Sequence, residues 1–187
     1  MLRSLIRRRA LVAAVALIAM SAGCTPGTGG TSGSTYISVV APAAFGTAPA
    51  GNYVLSPSPA FDAQLTNAFL SPTQGGGLAV AAGIGTALRT SFTIQAPANQ
   101  NLVVGTYDNL TATTTASHGS ASYARFVGDP LTAIQGCYGT VSGSAQITQL
   151  VTGPVSNNYA PIQKLKLLMS LSCDGSPALT IDVNINV

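Results

Sequence analysis

At 187 residues, with only 7% charged side chains and 47% hydrophobic ones, the chain is long enough to own one real core. It is too apolar and too poor in charge for an intrinsically disordered polymer. Four of its eight basic residues, Arg3, Arg7, Arg8 and Arg9, lie within the first nine positions, so losing them with a leader turns the formal charge of +3 into −1. The remainder, Arg89, Arg125, Lys164 and Lys166 against five aspartates, cannot neutralise a run of phosphates, which excludes nucleic acid as a partner.

Behind the leading arginines, residues 10–20 (ALVAAVALIAM) are apolar but well short of the ~20 residues that span a bilayer. They run into Ser21-Ala22-Gly23-Cys24, small residues followed by a thiol. This segment resembles the lipobox of bacterial lipoproteins, with Ser21 where that family most often has Leu. The resemblance implies that residues 1–23 are a signal peptide and that Cys24 becomes the acylated first residue. Each buried methylene then contributes about 0.8 kcal/mol, and two acyl chains suffice for stable anchoring. The alternative is a plain secretory signal cut near Ala22, with Cys24 left as a thiol. Arg8-Arg9 also fits the core of a twin-arginine signal, so either export route is open. The expected location is the cell envelope, on an outer membrane or the extracytoplasmic face of a cytoplasmic one.

Residues 25–35 (TPGTGGTSGST) carry no apolar side chain large enough to join a core and read as a flexible tether. As a random coil, such a segment puts about 20 Å between lipid and domain. From residue 36 onward, short apolar or alternating runs are broken by Gly, Pro, Asn and Asp, the pattern of an all-β domain. The predicted strands are residues 36–41, 52–55, 78–82, 88–94, 105–110, 121–126, 139–150, 162–173 and 178–187. The expected architecture is an antiparallel β-sandwich of two packed sheets over residues 36–187. In the last strand Leu179, Ile181, Val183, Ile185 and Val187 share one face, and before it Leu165, Leu167, Met169, Leu171 and Cys173 do the same. Residues 58–70 fit a helix, with Phe61, Leu65 and Phe69 every four positions behind Ser58 and Pro59, or equally a hairpin.

With Cys24 acylated, Cys137 and Cys173 remain as an even pair in an oxidising compartment, which points to a disulfide. A buried thiol pair and a metal site are the alternatives, although two cysteines with His118 fall short of four close ligands.

The signposts Gly51-Asn52-Tyr53-Val54, residues 92–97, Leu102-Val-Val-Gly105-Thr-Tyr107, Gly136-Cys137, Gly143-Ser-Ala-Gln-Ile147 and Cys173-Asp-Gly-Ser-Pro-Ala-Leu179 stand in a telling order. Together they resemble an uncharacterised β-rich domain met in many secreted bacterial proteins. The chain departs from that pattern at Ala145, at Ser170-Leu-Ser172 and in lacking Trp. The resemblance implies an exported β domain with its cysteines paired, and it transfers no catalytic residue.

Chemistry-bearing motifs are sparse. His118 is the only histidine and sits among hydroxyls in a predicted loop, with no Gly-x-Ser-x-Gly elbow to supply a nucleophile. Five scattered aspartates single out no glycosidase pair. Asp182, Asn184 and Asn186 form an oxygen-rich stripe that a solvated strand face explains as well as calcium does. The glycines at 75–77, 83 and 85 precede no Gly-Lys-Ser/Thr and read as turn residues. No cofactor or metal is expected. The sequence therefore points to a non-enzymatic, membrane-anchored envelope module whose partner is an envelope protein, or alternatively a glycan or other envelope polymer met by an exposed tyrosine; a hydrolase has the least support.

Overall fold

A computed structural model describes residues 35–55, 68–69, 76–84, 88–127, 133–155 and 159–186. Its elements are β1 (Tyr36–Ala41), β2 (Gly51–Leu55), β3 (Ala68–Phe69), β4 (Gly77–Ile84), β5 (Leu88–Gln95) and β6 (Gly105–Thr111), then β7 (Ser120–Val127), β8 (Ala133–Gly136), β9 (Val141–Thr152), β10 (Tyr159–Ala160), β11 (Ile162–Cys173) and β12 (Leu179–Asn186). The all-β expectation holds: no helix occurs among the described residues. Of the 58–70 segment only β3 is described, and it is strand; the remainder of that span lies outside the described residues, as do Val187 and residues 1–34.

Strand pairing follows the order β10-β3-β4-β5-β7-β6-β9-β11-β12-β1-β2, with β8 on the side of β7. Two separate sheets were the expectation, and here the structure differs. The half made of β6, β9, β11, β12, β1 and β2 continues into the half made of β7, β5, β4, β3, β10 and β8 through one parallel pair, Thr111 with Ser120. The result is one mostly antiparallel sheet, nearly closed into a barrel. The joint survives because the β6–β7 connection turns a corner without losing its backbone bonds: Thr111 N–H donates to the Gly119 carbonyl at 3.2 Å and Thr115 N–H to that of His118 at 2.9 Å. Near-closure also hides strand edges that would otherwise invite pairing with other chains.

The burial follows the period-2 faces. Leu165, Leu167, Met169, Leu171 and Cys173 on β11 and Leu179, Ile181, Val183 and Ile185 on β12 are all buried, in one core with Ile37, Val39, Leu78, Val80, Phe92 and Ile94. Alternation breaks at three bulges, one of them on β6 between Tyr107 and Leu110. On β9, Gln149 pairs with Lys166 but Ile147 with Leu167, so Thr148 is the extra residue. The inward parity then passes from odd positions, Ala145 and Ile147, to Leu150 opposite Leu165. On β11 the extra residue is Gln163, which lets both Ile162 and Leu165 face inward.

Two glycines admit backbone where a side chain cannot go. Gly143 lies so close to β11 that an added Cβ would fall 2.1 Å from the Ser170 carbonyl oxygen. Gly46 combines a φ of 61° with a site where a Cβ would meet the Gly136 carbonyl at 2.3 Å. That approach docks the β1–β2 loop on β8, where Thr47 Oγ1 accepts from Gly136 N–H at 3.0 Å and Thr47 N–H donates to the Gly136 carbonyl at 2.9 Å.

Candidate functional site

Cys24 lies outside the described residues. The other two cysteines are joined: Cys137, between β8 and β9, and Cys173, the last residue of β11, form a disulfide with Cα atoms 5.7 Å apart. Since β8 belongs to the β7 side of the sheet, the bond ties the two halves near the end of β11. The adjacent turn is locked by Asp174, whose Oδ1 accepts from Thr140 N–H at 2.7 Å while its own N–H donates to the Thr140 carbonyl at 2.9 Å. This lock explains why β9 begins at Val141 rather than at residue 139. The Cys137 and Cys173 sulfurs and the Asp174 carboxylate lie within 4.8 Å of one another, but disulfide sulfurs offer no thiolate to a metal.

Beside this corner, Ile134 is 57% exposed and Tyr138 75% exposed, with the Tyr138 hydroxyl donating to the Ile134 carbonyl at 3.2 Å. Among the described strands β8 pairs only with β7, and at Gly136 its other edge is covered by Thr47 of the β1–β2 loop. The sequence hides this place because a strand of four residues shows too little alternation to be read.

His118 sits in the β6–β7 loop with partners that are all local. Its Nδ1 is 2.8 Å from Ser117 Oγ and 3.4 Å from Thr115 Oγ1, and its N–H donates to Thr115 Oγ1 at 3.0 Å. No aspartate is among them; the ring shapes a turn. Next to it, Thr114 and Ser120 hydroxyls both donate to Gln95 Oε1, at 2.8 and 2.9 Å. On the outward face of β12, Asp182 Oδ2 accepts from the Tyr36 hydroxyl at 3.2 Å. Partial burial, followed by that carboxylate, raises the Tyr36 pKa.

A different set converges inside. Tyr53 of β2 reaches across to the Tyr123 hydroxyl of β7 and donates to Thr90 Oγ1 of β5 at 3.2 Å, and Thr90 in turn donates to the Ala124 carbonyl at 3.4 Å. Phe45 packs edge-on to Tyr123 with ring centroids 5.7 Å apart. The Arg125 guanidinium lies 5.9 Å from the centre of the Tyr53 ring. Arg125 shares inward parity with Ala121 and Tyr123, and its cross-strand neighbours are Thr90 on β5 and Gln135 on β8. Arg125 Nε and Gln135 Oε1 are buried with no hydrogen-bond partner. Sequence reasoning passed over Arg125, yet its signal was present: a strand placed at residues 121–126 puts this cation on the core-facing parity.

Burial is the main reason the Tyr53 pKa is raised far above the ordinary phenol value, with Tyr123 adding to it. The folded phenol thus keeps its proton where the unfolded one, with a pKa near ~10, loses it. Its contribution to stability is complete below about pH 10 and is lost as pH rises above that. Alkaline unfolding of the wild type is therefore expected to steepen above about pH 10, and Tyr53→Phe to flatten that limb; equal slopes in circular dichroism titrations would refute it.

Comparison with protein families, curated proteins and solved structures finds no match to this chain.

Proposed function

We propose that the protein is a non-enzymatic envelope lipoprotein, held to a membrane through Cys24, whose domain engages an envelope protein through Ile134 and Tyr138. The lipobox-like leader and the tether support the anchor. The domain is read as a sandwich in its packing, since the β1-β12-β11 and β4-β5 faces share one core and a single residue pair joins the halves. The observation that carries the interaction is the exposed apolar pair Ile134 and Tyr138 at the corner beside the disulfide. The outward main-chain groups of Gly136 are taken by Thr47 and the Ile134 carbonyl by the Tyr138 hydroxyl, so the contact is carried by side chains, and an exposed tyrosine supplies rigid contact area.

The test begins with fatty-acid labelling of cells, which should mark the wild type and not Cys24→Ala; unlabelled wild-type protein released into the medium refutes the anchor. A photo-crosslinking residue at position 138 should then give one discrete adduct in the envelope, whereas the same residue at position 146, on the outward face of β9, should give none. Equal labelling from both positions removes the Ile134–Tyr138 corner as the interface. A second reading, a glycan-binding module, is favoured by Tyr36 and Asp182 on the outer face; retention on envelope glycans that is lost with Tyr36→Ala would select it.

A further inference from the structure

The interior cluster holds a partly exposed cation whose inner nitrogen has no partner. Among the described residues no carboxylate pairs with Arg125, and its Nε is buried and unbonded. The Tyr53 ring face, 5.9 Å from the guanidinium, compensates part of the lost hydration but brings no negative charge. The hydroxyls beside it have no donor to spare. If Tyr123 donates to Tyr53, Tyr53 to Thr90 and Thr90 to the Ala124 carbonyl, all three protons are used, and that terminal carbonyl fixes the direction. Two unspent groups remain, the Nε–H of Arg125 and the Oε1 of Gln135. They belong to residues directly opposite in the β7–β8 ladder, so one small molecule can meet both.

We propose that this end of the sheet interior binds a small carboxylate bearing a hydrogen-bond donor next to the carboxyl group, the chemistry of a 2-hydroxy acid. The carboxylate would neutralise Arg125 and accept from Nε–H, and the neighbouring hydroxyl would donate to Gln135 Oε1. Water could make both hydrogen bonds but leaves the charge unanswered. A simple carboxylate answers the charge and leaves Gln135 unpaired. Partial exposure of Tyr53, Arg125 and Gln135 gives such a ligand a way in.

The test uses the processed, lipid-bearing protein in detergent micelles, labelled with nitrogen-15, and follows the Arg125 Nε–H resonance. Sodium glycolate is the probe, with sodium acetate, sodium phosphate and sodium chloride compared at equal ionic strength. Glycolate should shift the resonance saturably, half-maximally below about 10 mM, as is reasonable for so small a ligand. Acetate should need several-fold more. Read through the Gln135 side-chain amide, Arg125→Lys should weaken glycolate at least tenfold; read through the Arg125 Nε–H, Gln135→Ala, a change at a partly exposed residue, should erase the preference over acetate. A shift equal in chloride, or one that never saturates, would mean that the cluster holds water only; tighter binding of phosphate than of glycolate would overturn the carboxylate assignment.

Discussion

Replacing Cys137 and Cys173 together by Ala should lower the unfolding free energy by about 4 kcal/mol, because the bond closes a loop of 36 residues and restricts the unfolded chain accordingly. Ordinary domains are stable by only about 5–15 kcal/mol, so this one bond accounts for a large share. Urea titrations of the wild type with and without reductant, and of the double variant without it, provide the measurement. Reduced wild type and double variant should share a midpoint well below that of the oxidised protein. A loss under about 1 kcal/mol would show that the bond does not constrain the unfolded chain as the loop length requires. The local consequence should fall on β8, which is held otherwise by its ladder to β7 and by the Thr47 bonds to Gly136.

Phe92→Ala should cost about 4 kcal/mol, within the range for an aromatic side chain removed from a packed core. Phe92 is 1% exposed and sits on β5 between Val80 of β4 and Tyr123 of β7. Neither neighbour can shift inward without breaking its own ladder, so the cavity should remain open. Equilibrium denaturation checks it; a cost under about 1.5 kcal/mol, the range of mere repacking, would mean that the core collapses onto the site. Combined with loss of the disulfide, and if the two effects add, the deficit of about 8 kcal/mol approaches the whole stability of a typical domain. That triple variant should be largely unfolded at 37 °C.

Long strands with one buried face were legible because their apolar residues alternate. β1 and β11 coincide with their predicted spans, and β12 loses only one residue at each end, with Val187 outside the described residues. β9 was predicted to end at residue 150 and runs to Thr152. Its bulge at Thr148 resets the parity, and no residue type there announces it. β3, β8 and β10 span two to four residues, too few for any period. The cysteines could be counted but not located, since only the register of Cys173 with Val141 shows which corner they close. His118 was readable as a loop residue from the hydroxyl-rich sequence around it. The Tyr53–Arg125 cluster was not readable, because its members come from four strands and meet only through the curvature that brings β2 over β5, β7 and β8.

The position of β1 has a consequence for timing. Tyr36–Ala41 lies between β2, its neighbour in sequence, and β12, the last of the described strands, with Tyr36 opposite Asn184. Until β12 arrives, β1 and β11 both present open apolar strands, and the sheet cannot be assembled in the order of synthesis. Pairings this distant in sequence are slow to form. Until β12 has paired, β1 and β11 are open to strands of other copies, so the hazard of misassembly is concentrated in the steps before that pairing.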